Sequence, residues 1–446
     1  LGDVYKRQVH KVKYLHIVLN NATDWKLCPM SVIKRLLIVI MAALLSFTIP
    51  FQYRIYAAAT RTPAALSQLY ARYAALIDAD SGRVLFEKNG YEAAPNASTT
   101  KIMTCLLALE LGNPDDVVTV SSYAASMPDV QLNIKKGERY RLNDLLYSLM
   151  LQSHNDSAVA IAEHIASSYL DGGSYHSDAA SRSSEESRRL VQIFAAAMNE
   201  RAVAIGCSSA HFVTPNGLDA EDENGPHSIS AVDLARILAV CIQNEEFIHI
   251  TRTGNYSFNN LDNTATRSVH NTNAFLDMMD GVICGKTGFT GNAGYCYTCA
   301  YASDGRRFVS VVLACGWPGN KTYKWKDTRK ILEYAKASYY YRDIFVPIDD
   351  YRNICVSDGT TEYVETYIPD SLSMLIADTD VVNVTYNLPG TIKAPVNDKD
   401  IVGSADIYIN DSLTASLPIY ARGNCTKIDY IFCVRKILLY FTLMNY

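Results

Sequence analysis

The sequence predicts an α+β fold in which helices cover an antiparallel sheet and a small all-β domain follows. Alternating segments at 73–78 and 83–87 flank turn residues at 80–82 and predict a hairpin near the start of the folded region. Three further strands are predicted between residues 279 and 314, whereas helical periodicity disappears beyond Pro347. With 446 residues and 49% hydrophobic content, the chain can bury a large core and divides into two domains.

The first 59 residues have the character of a leader. The chain begins with Leu1, and residues 1–29 show neither periodicity nor a motif, so we interpret them as non-native or upstream sequence. From Met30, basic residues precede an apolar run at 36–49, and small residues follow at 57–59, which is typical of a signal peptide over 30–59. An uncleaved N-terminal anchor is the alternative, and either segment would export the protein.

Residues 96–112 are predicted to form a buried helix that carries a nucleophile beside a base. Asn96 suits the N-cap position, and apolar residues recur at helical spacing. Ser98 in the first turn and Lys101 one turn later project from the same face, so a lysine of lowered pKa could activate the serine hydroxyl. The pattern S-x-x-K is weak evidence alone, because residues 31–34 also match it.

The elements that follow alternate between helices, loops and strands. Residues 171–190 are rich in Ser, Asp and Glu and predict a mobile surface insertion. Turn residues mark a loop at 211–219 and hairpin turns at 304–305 and 410–411. Short alternating runs characterise the C-terminal domain. The remaining predictions are strands at 117–120, 279–288, 294–300 and 307–314, and helices at 143–150, 157–169, 190–206, 230–243 and 326–340.

Two further short motifs follow S-x-x-K in the chain. Ser153-His154-Asn155 lies where two predicted helices meet, so its polar side chains can be directed into a cleft. Lys286-Thr287-Gly288 lies on a predicted strand with flanking glycines, where a substrate backbone could approach closely. Each motif is weak alone, since residues 257–259 also fit S-x-N, but the order and placement of the three make the set specific.

At these residues the chain resembles the penicillin-recognising serine acyl-transferases. The resemblance is strongest to the low-molecular-mass penicillin-binding proteins of the peptidase S11 family, which are serine-type D-alanyl-D-alanine carboxypeptidases. It extends from about Thr62 through the K-T-G strands and implies a β-lactamase/transpeptidase-like catalytic domain over 60–345. The β-rich residues 346–421 are similar to the C-terminal domain of that family.

The resemblance implies a role for each motif residue. Ser98 would be the acylated nucleophile and Lys101 its general base. Ser153 would relay protons to the leaving amine, and Asn155 would hold the substrate amide. These roles require the two motifs to meet in one cleft.

Substrate contacts are implied for the K-T-G strand. Lys286 and Thr287 would meet the terminal carboxylate of the substrate, and the backbone N–H groups of Ser98 and Phe289 would form the oxyanion hole. Lys326 would supply a second cation for that carboxylate. The implied substrate-binding set is therefore Lys286, Thr287, Gly288, Phe289 and Lys326. His211 and Asp219 resemble loop residues of the family, and we expect both to serve packing.

The implied reaction is removal of the terminal D-alanine from peptidoglycan stem pentapeptides, with covalent inhibition by β-lactam antibiotics. A class A β-lactamase is one alternative, but its glutamate-bearing loop has no clear E-x-x-L-N counterpart between Ser153 and Lys286. A penicillin-binding sensor or cell-wall-binding protein without turnover is the other, and the presence of every motif residue argues against it.

Composition argues against several other classes of protein. The net charge is -5, and neither a basic stripe nor a nucleic-acid motif is present, so no nucleic-acid partner is expected. The nine histidines include no pair at metal-ligand spacing, and neither a metal nor a cofactor is predicted. Most of the 11 cysteines lie in apolar runs, which favours buried free thiols over disulfides.

The C-terminal residues 422–446 are predicted to anchor the protein to a membrane surface. The segment is apolar, but Arg435 and Lys436 in its middle disfavour a spanning helix. An amphipathic helix in the headgroup region of an anionic membrane fits this pattern, and a helix packed onto the β-domain is the alternative. With the leader, this places the protein peripherally on the outer face of the bacterial cytoplasmic membrane.

Overall fold

The computed structural model describes residues 64–171 and 178–443. The predicted leader over 1–29 and 30–59, with its S-x-x-K match, lies outside the described residues, as do residues 172–177 of the predicted insertion. In the described residues the strands are β1 (Tyr73–Asp78), β2 (Val84–Lys88), β3 (Ala93–Ala94), β4 (Val117–Thr119), β5 (Arg139–Arg141), β6 (Glu221–Asp222), β7 (Gly225–Pro226), β8 (Ile229–Ser230), β9 (Asn255–Asn259), β10 (Thr266–His270), β11 (Val282–Thr290), β12 (Gly294–Ser303), β13 (Arg306–Leu313), β14 (Tyr339–Phe345), β15 (Ile354–Ser357), β16 (Tyr363–Tyr367), β17 (Leu372–Ala377), β18 (Val382–Asn387), β19 (Thr391–Lys393), β20 (Ile401–Ile409) and β21 (Ser412–Arg422).

The α-helices of the same residues alternate with these strands. They are α1 (Lys101–Leu111), α2 (Ser122–Ala125), α3 (Leu142–Tyr147), α4 (Asn155–Ile165), α5 (Ser184–Ile205), α6 (Ala231–Cys241), α7 (Glu245–Arg252), α8 (Phe275–Met278), α9 (Tyr323–Ser338) and α10 (Tyr430–Leu443). Wider π-helical turns extend α3 over Ser148–Gln152 and α4 over Ala166–Leu170. A 3-10 turn, Ala97–Thr100, leads directly into α1.

The larger domain is built on a five-stranded antiparallel sheet in the order β11-β12-β13-β1-β2. Strand β1 has the predicted bounds, and it forms the predicted hairpin with β2. At the β12–β13 turn, Asp304 and Gly305 both have positive φ angles, 52° and 75°, as a two-residue hairpin requires. The predicted α+β fold class is confirmed.

Helices cover both faces of this sheet because its strand residues alternate between two cores. Ile77 packs in the larger core with Leu238 of α6, whereas its neighbour Leu76 packs in the other core with Ile331 of α9. Seven of the cysteines in the described residues are buried among these apolar side chains as free thiols: Cys105, Cys207, Cys241, Cys284, Cys296, Cys299 and Cys315.

The start of the helix predicted over 96–112 differs from the prediction. Ser98 lies in the 3-10 turn, and the α-helix begins only at Lys101. Asn96 makes no side-chain cap, because its amide instead donates to the hydroxyls of Thr99 at 3.0 Å and Thr100 at 2.9 Å. The tighter turn still places residues three apart on one face, so the predicted proximity survives.

The last part of the segment over 171–190, which the sequence predicts to be a mobile insertion, is helical. Helix α5 begins at Ser184, six residues before the predicted Leu190, with a capping box between Ser183 and Glu186. Arg182 is buried beside Glu163, with 3.6 Å between the charged groups. A cap and a buried ion pair can therefore order a segment that has few apolar residues.

The smaller domain is a six-stranded sheet in the order β18-β20-β21-β16-β15-β19, with one parallel pair, β15 and β19. Strands β14 and β17 form a separate pair, and their residues Tyr339, Leu375 and Ala377 pack in a core of the larger domain. Arg83 of the larger domain also forms an ion pair with Asp380 of the smaller one, at 2.8 Å. The two domains therefore share apolar and ionic contacts.

The smaller domain extends further than predicted. Cys425 is buried and pairs with Val396, and Lys427 pairs with Gly359, so residues 422–427 belong to the β-domain and not to the C-terminal segment. Helix α10 follows, and most of the large apolar side chains described for it are exposed, whereas Phe432 is half-buried. Among the described residues, no helix is both long and apolar enough to cross a membrane.

Candidate active site

Ser98 and Lys101 form the centre of the site. The Lys101 Nζ lies 2.9 Å from the Ser98 Oγ, and the lysine is fully buried. Burial, together with the positive charge of Lys286, holds the Lys101 pKa well below its usual range, and Asp156 opposes this shift. This shift favours the neutral form of the amine, which is the form that can accept the serine proton.

Two oxygens orient the Lys101 amine. Its Nζ donates to the Asn155 Oδ1 at 2.8 Å and to the backbone carbonyl oxygen of Asn216 at 2.7 Å. A neutral amine has two hydrogens and one lone pair, and both oxygens act only as acceptors. With both hydrogens donated, the lone pair points to the Ser98 hydroxyl, so the lysine is placed to take its proton.

The S-x-N motif lies at the junction of α3 and α4. Ser153 adopts a left-handed conformation, with φ 69° and ψ 33°, which ends the π-helical turn and allows α4 to start at Asn155. The Asn155 Nδ2 donates to the carbonyls of Pro128 and Asp129, both at 3.0 Å, and this fixes its Oδ1 toward Lys101. The Ser153 Oγ is buried and has no hydrogen-bond partner in the described residues, so its hydroxyl is not committed to another protein group.

Side chains next to the motif support this junction. Asp156 accepts backbone N–H bonds from Leu132 at 3.0 Å and Ile134 at 3.2 Å, which holds the neighbouring loop. His154 lies 2.8 Å from the Ser148 hydroxyl, and burial followed by the charges of Lys101 and Lys286 lowers its pKa to about 4. The imidazole therefore adds no positive charge to the site at neutral pH.

The K-T-G motif lies on β11, the edge strand of the sheet in the described residues. Lys286 is buried, its Nζ donates to the Thr287 carbonyl at 3.1 Å, and burial lowers its pKa to about 7. A β-carbon at Gly288 would lie 2.9 Å from the Ser98 nitrogen, so the absence of a side chain lets β11 pass against the nucleophile turn. The motif thus brings a cation beside Ser98 and Lys101.

The other residues predicted to contact substrate lie along or near this strand. Thr287 is half-buried, whereas the Phe289 ring is 42% exposed and lies 4.7 Å from the Tyr295 ring. Lys326 is exposed on α9, with its Nζ 5.7 Å from the Tyr323 ring. No contact described for Lys326 joins it to the motif residues, and its role stays a prediction.

The loop over 211–219 contributes more than packing. Its Asn216 carbonyl reaches Lys101, and Gly217 has a φ of +80° where a β-carbon would lie 2.0 Å from the Ala97 carbonyl oxygen. Asp219 accepts a hydrogen bond from Thr290 at 2.9 Å, at the end of β11, and His211 lies 2.9 Å from Asp222. The turn residues are visible in the sequence, but the contact of the Asn216 carbonyl with Lys101 is not.

The comparisons with known proteins agree with this geometry. The family model described as D-alanyl-D-alanine carboxypeptidase, peptidase S11, matches residues 58–171 and 190–316, which is more than half of the chain. The chain belongs to the peptidase S11 family. It is therefore a hydrolase, as the sequence predicts. Residues 172–189 are unmatched, so much of the polar segment is an insertion relative to the family, and residues 342–427 match the C-terminal domain of penicillin-binding protein 5.

Individual relatives are similar over most of the chain. D-alanyl-D-alanine carboxypeptidase DacF of Bacillus subtilis is 28% identical over 375 residues, covering 82% of this chain and 88% of its own. DacB2 of Mycobacterium tuberculosis is 30% identical over 266 residues, covering 58% of this chain and 80% of its own. Penicillin-binding protein 5 of Haemophilus influenzae shares the fold with a TM-score of 0.63 and 23% identity, covering 82% of this chain and 100% of its own.

Proposed function

We propose that this S11 peptidase removes the terminal D-alanine from peptidoglycan stem pentapeptides through an acyl-enzyme on Ser98. The observation that carries the proposal is the Lys101 amine, which Asn155 and Asn216 orient toward the Ser98 hydroxyl at 2.9 Å. A buried neutral lysine in this position can act as a general base for a serine nucleophile.

Substrate binding is assigned to the K-T-G strand and its surroundings. The substrate ends in a carboxylate, and Lys286 is the buried cation beside the nucleophile turn, with Thr287 next to it on β11. The carboxamide of Asn155 is fixed by its bonds to the Pro128 and Asp129 carbonyls, and it contacts the substrate amide. The charge of Lys286 favours a peptide with a free C-terminus over an internal peptide segment.

Acylation begins when Ser98 Oγ attacks the carbonyl carbon of the penultimate D-alanine and its proton passes to Lys101 Nζ. The N–H groups of Ser98 and Phe289 stabilise the resulting oxyanion. The C–N bond then breaks, and the proton returns through Ser153 to the nitrogen of the departing D-alanine. Ser98 is left as an ester of the shortened peptide.

Deacylation uses the same groups with water as the nucleophile. Lys101 takes a proton from water, the hydroxide adds to the ester carbonyl, and the proton returns to Ser98 Oγ as the ester bond breaks. A β-lactam would acylate Ser98 in the same way, but its cleaved amine remains tethered to the acyl group. This accounts for covalent inhibition.

The deciding experiment measures D-alanine release from a D-Ala-D-Ala peptide beside labelling by a fluorescent penicillin. The wild-type protein releases D-alanine and is labelled once, whereas Ser98→Ala does neither and remains folded. Rapid multiple turnover of penicillin without D-alanine release indicates a β-lactamase. Stable acylation without D-alanine release indicates a sensor, and either result overturns the proposal.

We also propose that the enzyme is exported and held at the outer face of the cytoplasmic membrane by α10. Tyr430 is 83% exposed, Ile431 is 60% exposed and Phe441 is 67% exposed, which supports a surface contact over packing against the β-domain. Arg435 and Lys436 are exposed on the same helix and suit anionic headgroups.

The test compares the full chain with a chain that ends after Lys427, because Cys425 belongs to the β-domain core. The full chain should sediment with phosphatidylglycerol vesicles, and the shortened chain should stay in solution with full activity. Equal sedimentation of both contradicts the anchor. Recovery of the protein from the cytoplasm with residues 30–59 intact contradicts export.

A further inference from the structure

His227 is a buried histidine that lies outside the three motifs. Its Nε2 is 2.8 Å from the Thr100 Oγ1. Its Nδ1 accepts backbone N–H bonds from Val213 at 3.0 Å and Thr214 at 3.3 Å. Because two N–H groups point at Nδ1, that nitrogen carries no hydrogen, and Nε2 donates its hydrogen to Thr100.

One imidazole therefore bonds to two segments that are distant in sequence. Thr100 immediately precedes Lys101 on the nucleophile turn, and Thr214 lies two residues before Asn216 on the loop. The Thr104 hydroxyl donates to the Pro215 carbonyl at 2.6 Å, which holds the same loop against α1. His227 is thus placed to set the distance between the lysine and the carbonyl that orients it.

We propose that His227 is a positioning residue for acylation, which holds the Asn216 carbonyl oxygen within hydrogen-bonding distance of the Lys101 amine. The inference rests on the proposed function of Ser98 and Lys101. If the carbonyl moves, one Lys101 hydrogen loses its acceptor and the lone pair is no longer fixed toward Ser98. The rate of the chemical step then falls, while binding of the substrate carboxylate at β11 is retained.

The state of His227 suits a permanent structural bond. Burial, followed by the positive charges of His211 and Lys101, lowers its pKa to about 4, so the ring is neutral at neutral pH. Thr100 also accepts a hydrogen bond from Asn96 at 2.9 Å, so the hydroxyl is fixed from both sides. The ring therefore keeps both sets of hydrogen bonds near neutral pH and does not act as a pH switch.

Three variants separate the two bonds of the ring. His227→Ala removes both bonds, His227→Gln can reach Thr100 as a donor, and His227→Asn can accept from Val213 and Thr214. His211→Ala is the matched control, because His211 lies on the same loop and contacts Asp222 instead. The measurements are the second-order rate of penicillin acylation, kcat and KM for the peptide, and the Lys101 pKa from NMR of labelled lysine.

We expect His227→Ala to lower kcat and the acylation rate by about 100-fold with KM changed less than about threefold, because small misplacements of catalytic groups have effects of this size. The Lys101 pKa should fall further, since a carbonyl acceptor stabilises the ammonium form. His227→Asn should restore part of the rate, and His211→Ala should match the wild type. If His227→Ala does not fold, His227→Gln and His227→Asn carry the test.

Two results would overturn the proposal. One is a folded His227 variant with unchanged acylation and an unchanged Lys101 pKa. The other is a fall in the acylation rate that is fully explained by a smaller fraction of folded protein. The lysine titration needs no substrate, so it tests His227 even if the wild type releases no D-alanine, and the two proposals can fail separately.

Discussion

The Lys101 Nζ lies 2.9 Å from the Ser98 Oγ, and the same nitrogen donates to two oxygens that fix its direction. This contact makes the chemistry depend on a neutral amine. Lys101→Arg should lower acylation by about a thousandfold, because a guanidinium stays charged and cannot take the serine proton. Stopped-flow measurement of penicillin acylation checks this, with Lys135→Arg on the surface as the control. Substantial activity in Lys101→Arg would mean that another group is the base.

Lys286 should make substrate binding depend on pH. Its pKa is about 7 because it is buried, so the fraction that carries a positive charge falls as the pH rises from 6 to 8.5. The KM for a D-Ala-D-Ala peptide should rise across this range, since the substrate carboxylate stays ionised. Lys286→Gln should raise KM about tenfold or more at pH 6 and remove its pH dependence. A flat KM profile in the wild type would remove Lys286 from carboxylate binding.

Gly217 should tolerate no side chain. Its φ is +80°, and a β-carbon would meet the Ala97 carbonyl oxygen at 2.0 Å, so Gly217→Ala must displace the loop from the nucleophile turn. We expect a loss of more than about 2 kcal/mol in the free energy of unfolding, measured by urea titration, together with slower acylation. Gly254→Ala is the matched control, because a β-carbon there meets nothing within 4 Å. Equal unfolding midpoints for the two variants would contradict the close approach.

Two buried histidines should weaken the fold in acid. The pKa values of His154 and His227 are about 4 in the folded protein, below the value of about 6.5 for an unfolded chain. Between these pH values the unfolded chain binds more protons than the folded protein. The free energy of unfolding is therefore fully retained above about pH 6.5 and decreases as the pH falls toward 4. Buried carboxyls such as Asp156, whose pKa burial raises, act in the opposite direction, so the informative quantity is a difference between variants.

The acid effect is checked by measuring Tm at pH 7.5 and pH 5. The Tm of His227→Gln should fall less between pH 7.5 and pH 5 than the Tm of the wild type, because an imidazole with a lowered pKa has been removed. His249→Gln, at an exposed position, should behave as the wild type does. An equal Tm drop in all three proteins would show that His227 is not protonated on unfolding.

Much of the fold could be predicted from local patterns in the sequence. Strand β1, the β12–β13 turn and the Ser230 cap of α6 follow from alternation, turn residues and capping residues within a few positions of one another. The start of α5 was predicted too late because a polar first turn is invisible to hydrophobic periodicity. The end of the smaller domain was missed because the pairing of residues 425 and 427 depends on distant segments.

The three motifs were visible in the sequence, but the groups that orient them were not. Asn216 acts through its backbone carbonyl, so its side chain gives no signal, and it meets Lys101 across 115 residues of sequence. His227 was one of the nine histidines of the chain, and it belonged to none of the three motifs. The Pro215-Asn216-Gly217 turn was the available clue, since a glycine in a tight turn suggests close backbone contact.

The position of β11 at the edge of its sheet has a consequence for selectivity. An edge strand offers backbone groups to any extended peptide, and such pairing does not distinguish one side chain from another. Discrimination must then come from the buried ammonium of Lys286 and from the close passage of Gly288 over the Ser98 turn. An enzyme built in this way recognises where a peptide ends and depends much less on which residues precede that end.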